Sequence, residues 1–450
     1  MKRFLLVLAL VSALVLLALP TVVAQDACDD EIGCVVIGPN DPVVIGSMLT
    51  VSGPTAFLGE DSLGGIELAI LQRGEELMGR EIELIEEDSL CTAEGGQQAA
   101  QRIAADESVL GVIGTSCSSA GVAALPIISE AGMLMISPTN TGPVLTNPNE
   151  DEGGVYQPGY FRTAHNDLFQ GSLAAEFAFN ELGSMTLATV HDGSPYADGL
   201  QEVMAEVFAE LGGEVVFQGA VNVGDTDMTA ILTEIAASAP DVLYFPLFEP
   251  ESNFMAAQAK EIPGLENTIL MGADASFADS FPENTGDAAV GMYFSSPFVS
   301  PEDEDYSAFL ALWDEEIGGV PPSGFHAHAY DATNILLDAI EVVAVEDGDN
   351  LVVGRQALRD AVAATEMFDG LTGVLTCQEE SPFSGDCATG EALAIFQITE
   401  AEVNDNAWPP PVVFLPSADM DDMDGDMEME DEDMEDEDMD DEGEEESSDG

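Results

Sequence analysis

Residues 82–141 decide the fold of this 450-residue chain and read IELIEEDSLCTAEGGQQAAQRIAADESVLGVIGTSCSSAGVAALPIISEAGMLMISPTNT. Three apolar runs, at 82–85, 109–113 and 133–136, alternate with two alanine-rich amphipathic segments. Each run stops at small polar residues. This alternation predicts two strand–helix–strand units that share a parallel sheet.

Residues with hydroxyl groups follow two of these runs. The loops read GTSCSS at 114–119 and SPTNT at 137–141. Parallel α/β sheets bind ligands beyond the carboxyl ends of their strands, where hydroxyls and free helix N-terminal amides collect. The sequence therefore predicts a pocket for a small anion or a carboxylate at this edge.

A comparable pattern between residues 168 and 281 predicts a second lobe. Its predicted strands cover 186–190, 215–217, 241–245 and 268–271. Further predicted elements are helices at 64–77, 168–182 and 277–281, and late β structure over 368–398. We therefore expect an α/β fold with two Rossmann-like lobes, each built on a parallel sheet, joined by a multi-strand hinge. Hinged lobes of this kind capture small ligands by closing.

The expected organisation has five parts. They are a signal peptide at 1–24, an N-terminal lead-in at 25–42, lobe 1 at 43–163 and 298–372, lobe 2 at 164–297 and 373–415, and a disordered acidic tail at 416–450.

The N-terminus has the basic, apolar and small-residue zones of a secretory signal. Met1-Lys2-Arg3 precedes an apolar run over 4–19, and Val22-Val23-Ala24 precedes the expected cleavage point. An uncleaved anchor is the alternative, because the apolar run is slightly short of the roughly 20 residues that span a membrane. Both interpretations place the body outside the cytoplasm, in the periplasm or on the outer face of the cell envelope.

Six cysteines, an even number in an exported chain, favour disulfides over metal binding. Their positions suggest the local pairs Cys28 with Cys34, Cys91 with Cys117, and Cys377 with Cys387. Cys91 and Cys117 follow neighbouring predicted strands at the same end of the sheet. Fifteen connectivities are formally open to six cysteines.

The charge is extreme, with 9 basic residues against 87 acidic ones and a formal net charge of -78. Long-range repulsion makes nucleic acid and anionic lipid surfaces poor partners. The tail from Asp419 onward has no aromatic residue and should be disordered, as a solubilising or spacing segment. Residues 422–425 resemble part of an EF-hand loop, but its first ligand would be Met420. We expect diffuse cation association there, and no metal site or cofactor.

Several motifs together resemble one family. They are Ser52-Gly53-Pro54, the Cys91 and Cys117 pair, Val112-Ile113-Gly114 with Cys117-Ser118-Ser119, Met135-Ile136-Ser137-Pro138, and Val190-His191-Asp192 with Tyr196-Ala197-Asp198-Gly199. From about residue 43 to residue 396, the chain resembles a type I periplasmic binding protein of the leucine/isoleucine/valine class. Such a protein is the extracellular receptor of an ABC importer.

The resemblance implies a ligand site. Ser118 and Thr141 correspond to hydroxyl donors to a ligand α-carboxylate, and Thr139 to a main-chain carbonyl that accepts from the ligand ammonium. Asp274 corresponds to the acidic partner of that ammonium. Tyr196 and Phe325 resemble walls of the side-chain pocket. In two departures, Phe248 replaces an expected tyrosine, and Leu58 stands near a position that is often aromatic.

Physical chemistry supports this assignment independently, since a buried zwitterion needs donors for its carboxylate and a negative charge for its ammonium. Each residue also has an ordinary alternative: Ser118 as a helix cap, Thr141 as a turn residue, Asp274 as a loop carboxylate, and Phe248 and Phe325 as core.

We expect a monomeric receptor that delivers a branched-chain amino acid to a membrane permease. An amide, urea or another small carboxylate is the alternative ligand, and sensing without transport the alternative role.

Two other classes of protein, an enzyme and a surface protein, fit the sequence less well. A hydrolase nucleophile elbow needs glycine two residues to either side of its serine, and residues 114–118 lack the second glycine. His326 and His328 are two apart, which suits neither one helix face nor a zinc site without further ligands. The chain has no GxGxxG or P-loop pattern. A surface protein with a vestigial cleft would not need Ser118, Thr141 and Asp274.

Overall fold

The computed structural model describes residues 28–379, 381–388, 390 and 392–416. The predicted signal peptide, the EF-hand-like residues 422–425 and the predicted tail beyond residue 416 lie outside the described residues. Within the described part, no helix combines the length and the apolar character needed to cross a membrane.

The described strands are β1 (Cys34–Ile37), β2 (Val43–Leu49), β3 (Glu76–Leu77), β4 (Arg80–Asp88), β5 (Val109–Gly114), β6 (Leu134–Ser137), β7 (Tyr160–Arg162), β8 (Thr186–His191), β9 (Glu214–Ala220), β10 (Val242–Tyr244), β11 (Ile269–Ala273), β12 (Tyr293–Pro297), β13 (Val345–Asp347), β14 (Asn350–Gly354), β15 (Phe368–Gly370), β16 (Gly373–Leu375), β17 (Leu393–Gln397) and β18 (Val412–Phe414). The α-helices are α1 (Phe57–Gln72), α2 (Ala93–Ala104), α3 (Ser118–Glu130), α4 (Asp167–Glu176), α5 (Pro195–Glu210), α6 (Thr229–Ser238), α7 (Glu251–Ala259), α8 (Ser280–Thr285), α9 (Glu304–Glu316), α10 (His326–Val343), α11 (Arg355–Ala363) and α12 (Glu400–Asn404).

The first sheet has the strand order β3-β4-β2-β5-β6-β7 and is parallel apart from the β3–β4 pair. Alternate residues of its central strand β2 enter different cores. Val43 and Ile45 pack with α1 and α10 residues on one face, whereas Val44 and Met48 pack with α2 and α3 residues on the other. Because both faces are covered, β2 is buried throughout, as is typical of a parallel strand in an α/β fold.

The second sheet has the order β18-β17-β12-β11-β10-β8-β9. Strands β9, β8, β10, β11 and β12 are parallel, and β17 and β18 add antiparallel strands at one edge. Its core includes Phe245, Phe281 and Phe294, all fully buried. The predicted α/β class with two parallel-rich sheets is therefore confirmed.

The described chain passes between the two sheets three times. It crosses from β7 to β8, from β12 to α10, and from the first core at Cys387 to β17. A few chain crossings between two lobes are typical of folds that hinge. The division into lobes stays our interpretation of these crossings.

The predicted helix at 64–77 is wrong at both ends, because α1 begins at Phe57 and residues 76–77 form β3. Two glycines of α1 lie where the helix backbone closely approaches the backbone of a neighbouring segment. A Cβ atom on Gly59 would lie 2.0 Å from the Thr50 carbonyl oxygen, and one on Gly65 would lie 2.1 Å from that of His326. The predicted helix at 277–281 is also displaced, since α8 begins at Ser280.

Two segments pack with other parts of the chain than the sequence predicts. The lead-in contains β1, which pairs with β14 of the first lobe. Residues 373–388, which the sequence groups with lobe 2, place Leu375, Cys377 and Cys387 in the first core. Of the described residues after 372, only those from β17 onward join the second sheet. The reason is a buried ion pair between Arg162 of β7 and Asp386, which ties this segment to the first sheet.

The three suggested disulfides are all present: Cys28–Cys34, Cys91–Cys117 and Cys377–Cys387. Cys117 caps the start of α3 and packs with Leu58 and Phe325. The Cys91–Cys117 bridge therefore fixes the strand-end loop that the sequence predicts as part of the ligand site.

Candidate functional site

One small cavity gathers most of the predicted ligand residues. It is lined from the first lobe by Leu58, Ser116, Cys117, Ser118, Thr139 and Phe325, and from the second by Tyr196, Phe248, Asp274 and Ala275. Most of these residues follow the carboxyl ends of strands β5, β6, β8, β10 and β11. The topology thus brings the strand ends of both sheets to one place.

The first-lobe wall offers hydrogen-bond donors. Ser118 is the first residue of α3, so its main-chain amide belongs to the helix turn that lacks intrahelical acceptors. Its hydroxyl oxygen accepts a hydrogen bond from the Gly142 amide at 3.2 Å, which leaves the hydroxyl hydrogen able to donate. Amides and a hydroxyl at a helix N-terminus favour a carboxylate.

Ser137 organises the loop that carries Thr139. Its hydroxyl donates to the Thr115 carbonyl at 2.9 Å and accepts from the amides of Thr139 and Asn140 at 3.2 and 2.8 Å. The Thr139 hydroxyl donates to the same Thr115 carbonyl at 3.3 Å. These bonds hold the predicted ammonium-binding carbonyl in a fixed loop.

The second-lobe wall supplies a buried carboxylate. Asp274 directly follows β11 and is 4% exposed. Its Oδ1 accepts hydrogen bonds from Gln170 Nε2 at 2.6 Å and from the Tyr196 hydroxyl at 2.9 Å. Burial raises the pKa of Asp274 to about 6, and these two hydrogen bonds act in the opposite direction. At neutral pH the group is therefore ionised.

A second carboxyl group, Asp167, lies behind this wall. It is fully buried at the first position of α4, and neither of its carboxylate oxygens has a hydrogen-bond partner among the described residues. Burial raises the pKa of Asp167 well above its ordinary value, and the nearby Asp274 raises it further. Because Asp274 accepts two donors and Asp167 accepts none, we infer that Asp167 holds the proton. The wall then carries one negative charge.

Apolar side chains form the remaining wall. Leu58, Phe325 and Cys117 pack in one cluster with Phe248 against them. The Tyr196 and Phe248 rings lie 5.3 Å apart at an interplanar angle of 50°. Such a surface selects a ligand side chain by shape and apolar contact.

The cavity between these walls is about 10 Å³. That is space for roughly one water molecule. A ligand larger than one water molecule can therefore enter only when the walls separate.

The structure brings together seven of the eight predicted ligand residues. Thr141 is the exception, since it is buried but does not line the cavity. Its carbonyl accepts from the Asp167 amide at 3.0 Å. Its hydroxyl lies near the Asp167 carboxylate and lowers the pKa of that group, although the geometry falls short of a hydrogen bond.

Sequence reasoning missed Ala275 on the cavity wall, and Gln170 and Asp167 behind it. Ser116 lies in the 114–119 loop predicted at the pocket, although it was not named as a ligand residue, and Ala275 follows the predicted Asp274. Gln170 and Asp167 lie within the sequence of an ordinary helix, and only the contact of α4 with β11 and β12 gives them this role.

A buried arginine positions the Thr139–Thr141 loop. Arg162 donates to the carbonyl oxygens of Asn140 and Gly142 at 3.0 and 3.1 Å, and to the Thr146 hydroxyl at 3.0 Å. It also forms the ion pair with Asp386, which is 1% exposed. The loop that faces the ligand cavity is thus fixed from behind by one guanidinium.

Comparison with known proteins matches residues 42–400 to the family model described as "Periplasmic binding protein". A Leu/Ile/Val-binding protein homolog from Brucella abortus is 28% identical over 309 residues, which covers 68% of this chain and 80% of the relative. A leucine-, isoleucine-, valine-, threonine- and alanine-binding protein from Pseudomonas aeruginosa is 28% identical and covers 70% and 83% of the two chains.

Solved structures are similar across the same body. A leucine-binding protein from Thermotoga maritima has a TM-score of 0.71 at 25% identity, and the match covers 83% of this chain and 99% of the other. A solute-binding protein from R. palustris in complex with benzoate has a TM-score of 0.68 at 20% identity, with coverage of 83% and 96%. The second likeness shows the fold alone.

Proposed function

Since the chain belongs to the periplasmic binding protein family, we propose that it captures a branched-chain amino acid outside the cytoplasm and delivers it to the permease of an ABC importer. The family establishes a solute-binding protein with an extracytoplasmic location. The identity of the ligand, the residues that hold it and the monomeric state are our proposal.

One observation carries this proposal: the same cavity has a helix N-terminus with a free hydroxyl on one wall and an ionised carboxylate on the other. Ser118 and the first amides of α3 bind the ligand carboxylate. Asp274 and the Thr139 carbonyl bind its ammonium. An α-amino acid is the simplest ligand that satisfies both walls, since an unpaired buried charge is costly.

The apolar walls select the ligand side chain. Leu58, Phe248 and Phe325 offer no charge and no hydrogen-bond donor, so they favour an aliphatic group. One methylene in such a pocket changes affinity by only about 1–3 kcal/mol, so leucine, isoleucine and valine should bind within a modest range of one another. A plain carboxylate lacks the positive charge that Asp274 requires. We therefore expect benzoate, the ligand of the R. palustris relative, to be rejected here.

Titration calorimetry of the purified chain tests this proposal, with leucine, isoleucine, valine, alanine, glutamate, phenylalanine, urea and benzoate as ligands. We expect micromolar or tighter dissociation constants for leucine, isoleucine and valine, with one site per chain. Glutamate, urea and benzoate should give no measurable heat. Silence across the amino acids would reject the proposed ligand class and leave the family assignment standing.

A further inference from the structure

A second and much larger cavity lies where the chain crosses from β12 towards α10. Its volume is about 400 Å³, against about 10 Å³ for the cavity that holds Asp274. Natural small-molecule pockets span roughly 300–1,000 Å³. We call it the crossover cavity, because residues 297–299 and 301 form part of its wall.

Both lobes contribute to the crossover cavity. Phe277, Phe396 and Trp408 belong to the second lobe, where the Phe277 ring packs at a tilt against Phe396 and Trp408, with ring-centroid distances of 4.5 and 4.8 Å. Tyr306 of α9 and His326 of α10 form the wall from the other side. Six of the lining residues thus carry aromatic rings: Phe277, Phe298, Tyr306, His326, Phe396 and Trp408.

Among the residues that the structure describes, none with a carboxylate, lysine or arginine side chain lines the crossover cavity. His326 and Tyr306 of its wall are bonded to each other, Nε2 to hydroxyl, at 2.7 Å. Behind the wall, His326 Nδ1 lies 3.1 Å from Asp61, which also accepts from the amides of Ser323 and Phe325. The polar groups are thus largely satisfied by one another, and a charged guest would find no counter-charge.

Ser323 adds a hydrogen-bonding group beside the aromatic faces. It lines the crossover cavity and is 6% exposed, and its hydroxyl has no hydrogen-bond partner among the described residues. The hydroxyl oxygen is shielded from solvent, so a guest with one hydroxyl group can pair with it only after the serine side chain rotates towards the cavity.

We propose that the crossover cavity is a second ligand site, for a small uncharged aromatic molecule with a single polar group. An aromatic guest gains from offset or edge-to-face contact with aromatic rings of the wall. An apolar cavity of about 150 Å³ already accepts benzene, so this cavity accommodates two fused rings. A net charge of -78 over the chain further disfavours anionic guests. The site is separate from the cleft that contains Asp274.

2-Naphthol is a suitable probe, tested by calorimetry on the full chain. We expect binding at one site per chain, and at least tenfold weaker binding of the anion 2-naphthoate and of the cation tetraethylammonium. Absence of 2-naphthol binding up to its solubility limit would overturn the proposal. Equal or tighter binding of either ion would overturn its assignment to uncharged guests.

A pair of matched variants locates the site. Val320 lines the crossover cavity and is 55% exposed, so Val320→Trp adds bulk there with little demand on the core. Val342 is 79% exposed on α10 and does not line the cavity, so Val342→Trp is the control. We expect Val320→Trp to weaken 2-naphthol binding at least tenfold and Val342→Trp to leave it unchanged. Equal binding in the two variants would place the probe elsewhere and reject the site.

Asp274→Ala separates this proposal from the proposed function. We expect this variant to bind 2-naphthol as the wild type does, because Asp274 does not line the crossover cavity. A parallel loss of 2-naphthol and leucine binding in Asp274→Ala would show that both bind in the cleft, and would refute a second site.

Discussion

Replacing Asp274 by alanine should weaken leucine binding by more than a hundredfold. The ligand ammonium would then be buried in the closed cleft without a negative partner, and removing one member of a buried ion pair costs about 3–5 kcal/mol. Each 1.4 kcal/mol is about tenfold in affinity. Calorimetry with leucine measures the change directly.

Asp287→Ala is the matched control, since Asp287 is an exposed carboxylate of the same lobe that does not line the cavity. We expect its leucine affinity to equal that of the wild type. Affinity in Asp274→Ala within threefold of the control would contradict the assigned role of Asp274.

The pH dependence gives the same test without a mutation. Burial raises the pKa of Asp274 to about 6, so the carboxylate is ionised above that pH and protonated below it. Because the ammonium binds the ionised form, leucine affinity should be constant above about pH 7 and fall as the pH drops through 6. The fall is at most about tenfold per pH unit for a single proton. Asp274→Ala should lose this dependence.

Replacing Arg162 by methionine should lower the free energy of unfolding by about 3–5 kcal/mol, because Asp386 would remain buried without its partner. Arg162 is fully buried, and the carbonyls of Asn140 and Gly142 also lose a donor. Urea unfolding followed by circular dichroism measures the change.

Two companion variants make this result interpretable. Arg102→Met breaks the exposed pair with Glu87, for which we expect a loss below about 1 kcal/mol. Arg162→Met combined with Asp386→Asn removes both charges and should recover part of the stability. A loss in Arg162→Met no larger than that in Arg102→Met would show that the buried pair does not hold residues 373–388 and the Thr139–Thr141 loop in place.

Much of the fold is visible in the sequence because the parallel strands are short apolar runs. The predicted runs at 109–113 and 133–136 differ from strands β5 and β6 by no more than one residue at either end. The sequence prediction starts α1 too late because Gly59 weakens the helical pattern before residue 64. Gly59 is required where the helix touches the Thr50 backbone, and such a contact exists only in the folded chain.

The site was predictable to the extent that its residues follow strand ends. Ser118, Thr139 and Asp274 lie within a few residues of β5, β6 and β11, and the motifs around them resemble a known family. Arg162 and Asp386 are 224 residues apart in sequence, so nothing local marks them as partners. Gln170 is equally hidden, since its amide reaches Asp274 across 104 residues.

A crystal structure of the protein with leucine tests the central claim most directly. We expect the leucine carboxylate within hydrogen-bond distance of the Ser118 hydroxyl and the α3 N-terminus, and the ammonium within hydrogen-bond distance of Asp274. Leu58, Phe248 and Phe325 should surround the side chain. Leucine bound elsewhere, or in this cleft with its ammonium directed away from Asp274, would contradict the proposed ligand site.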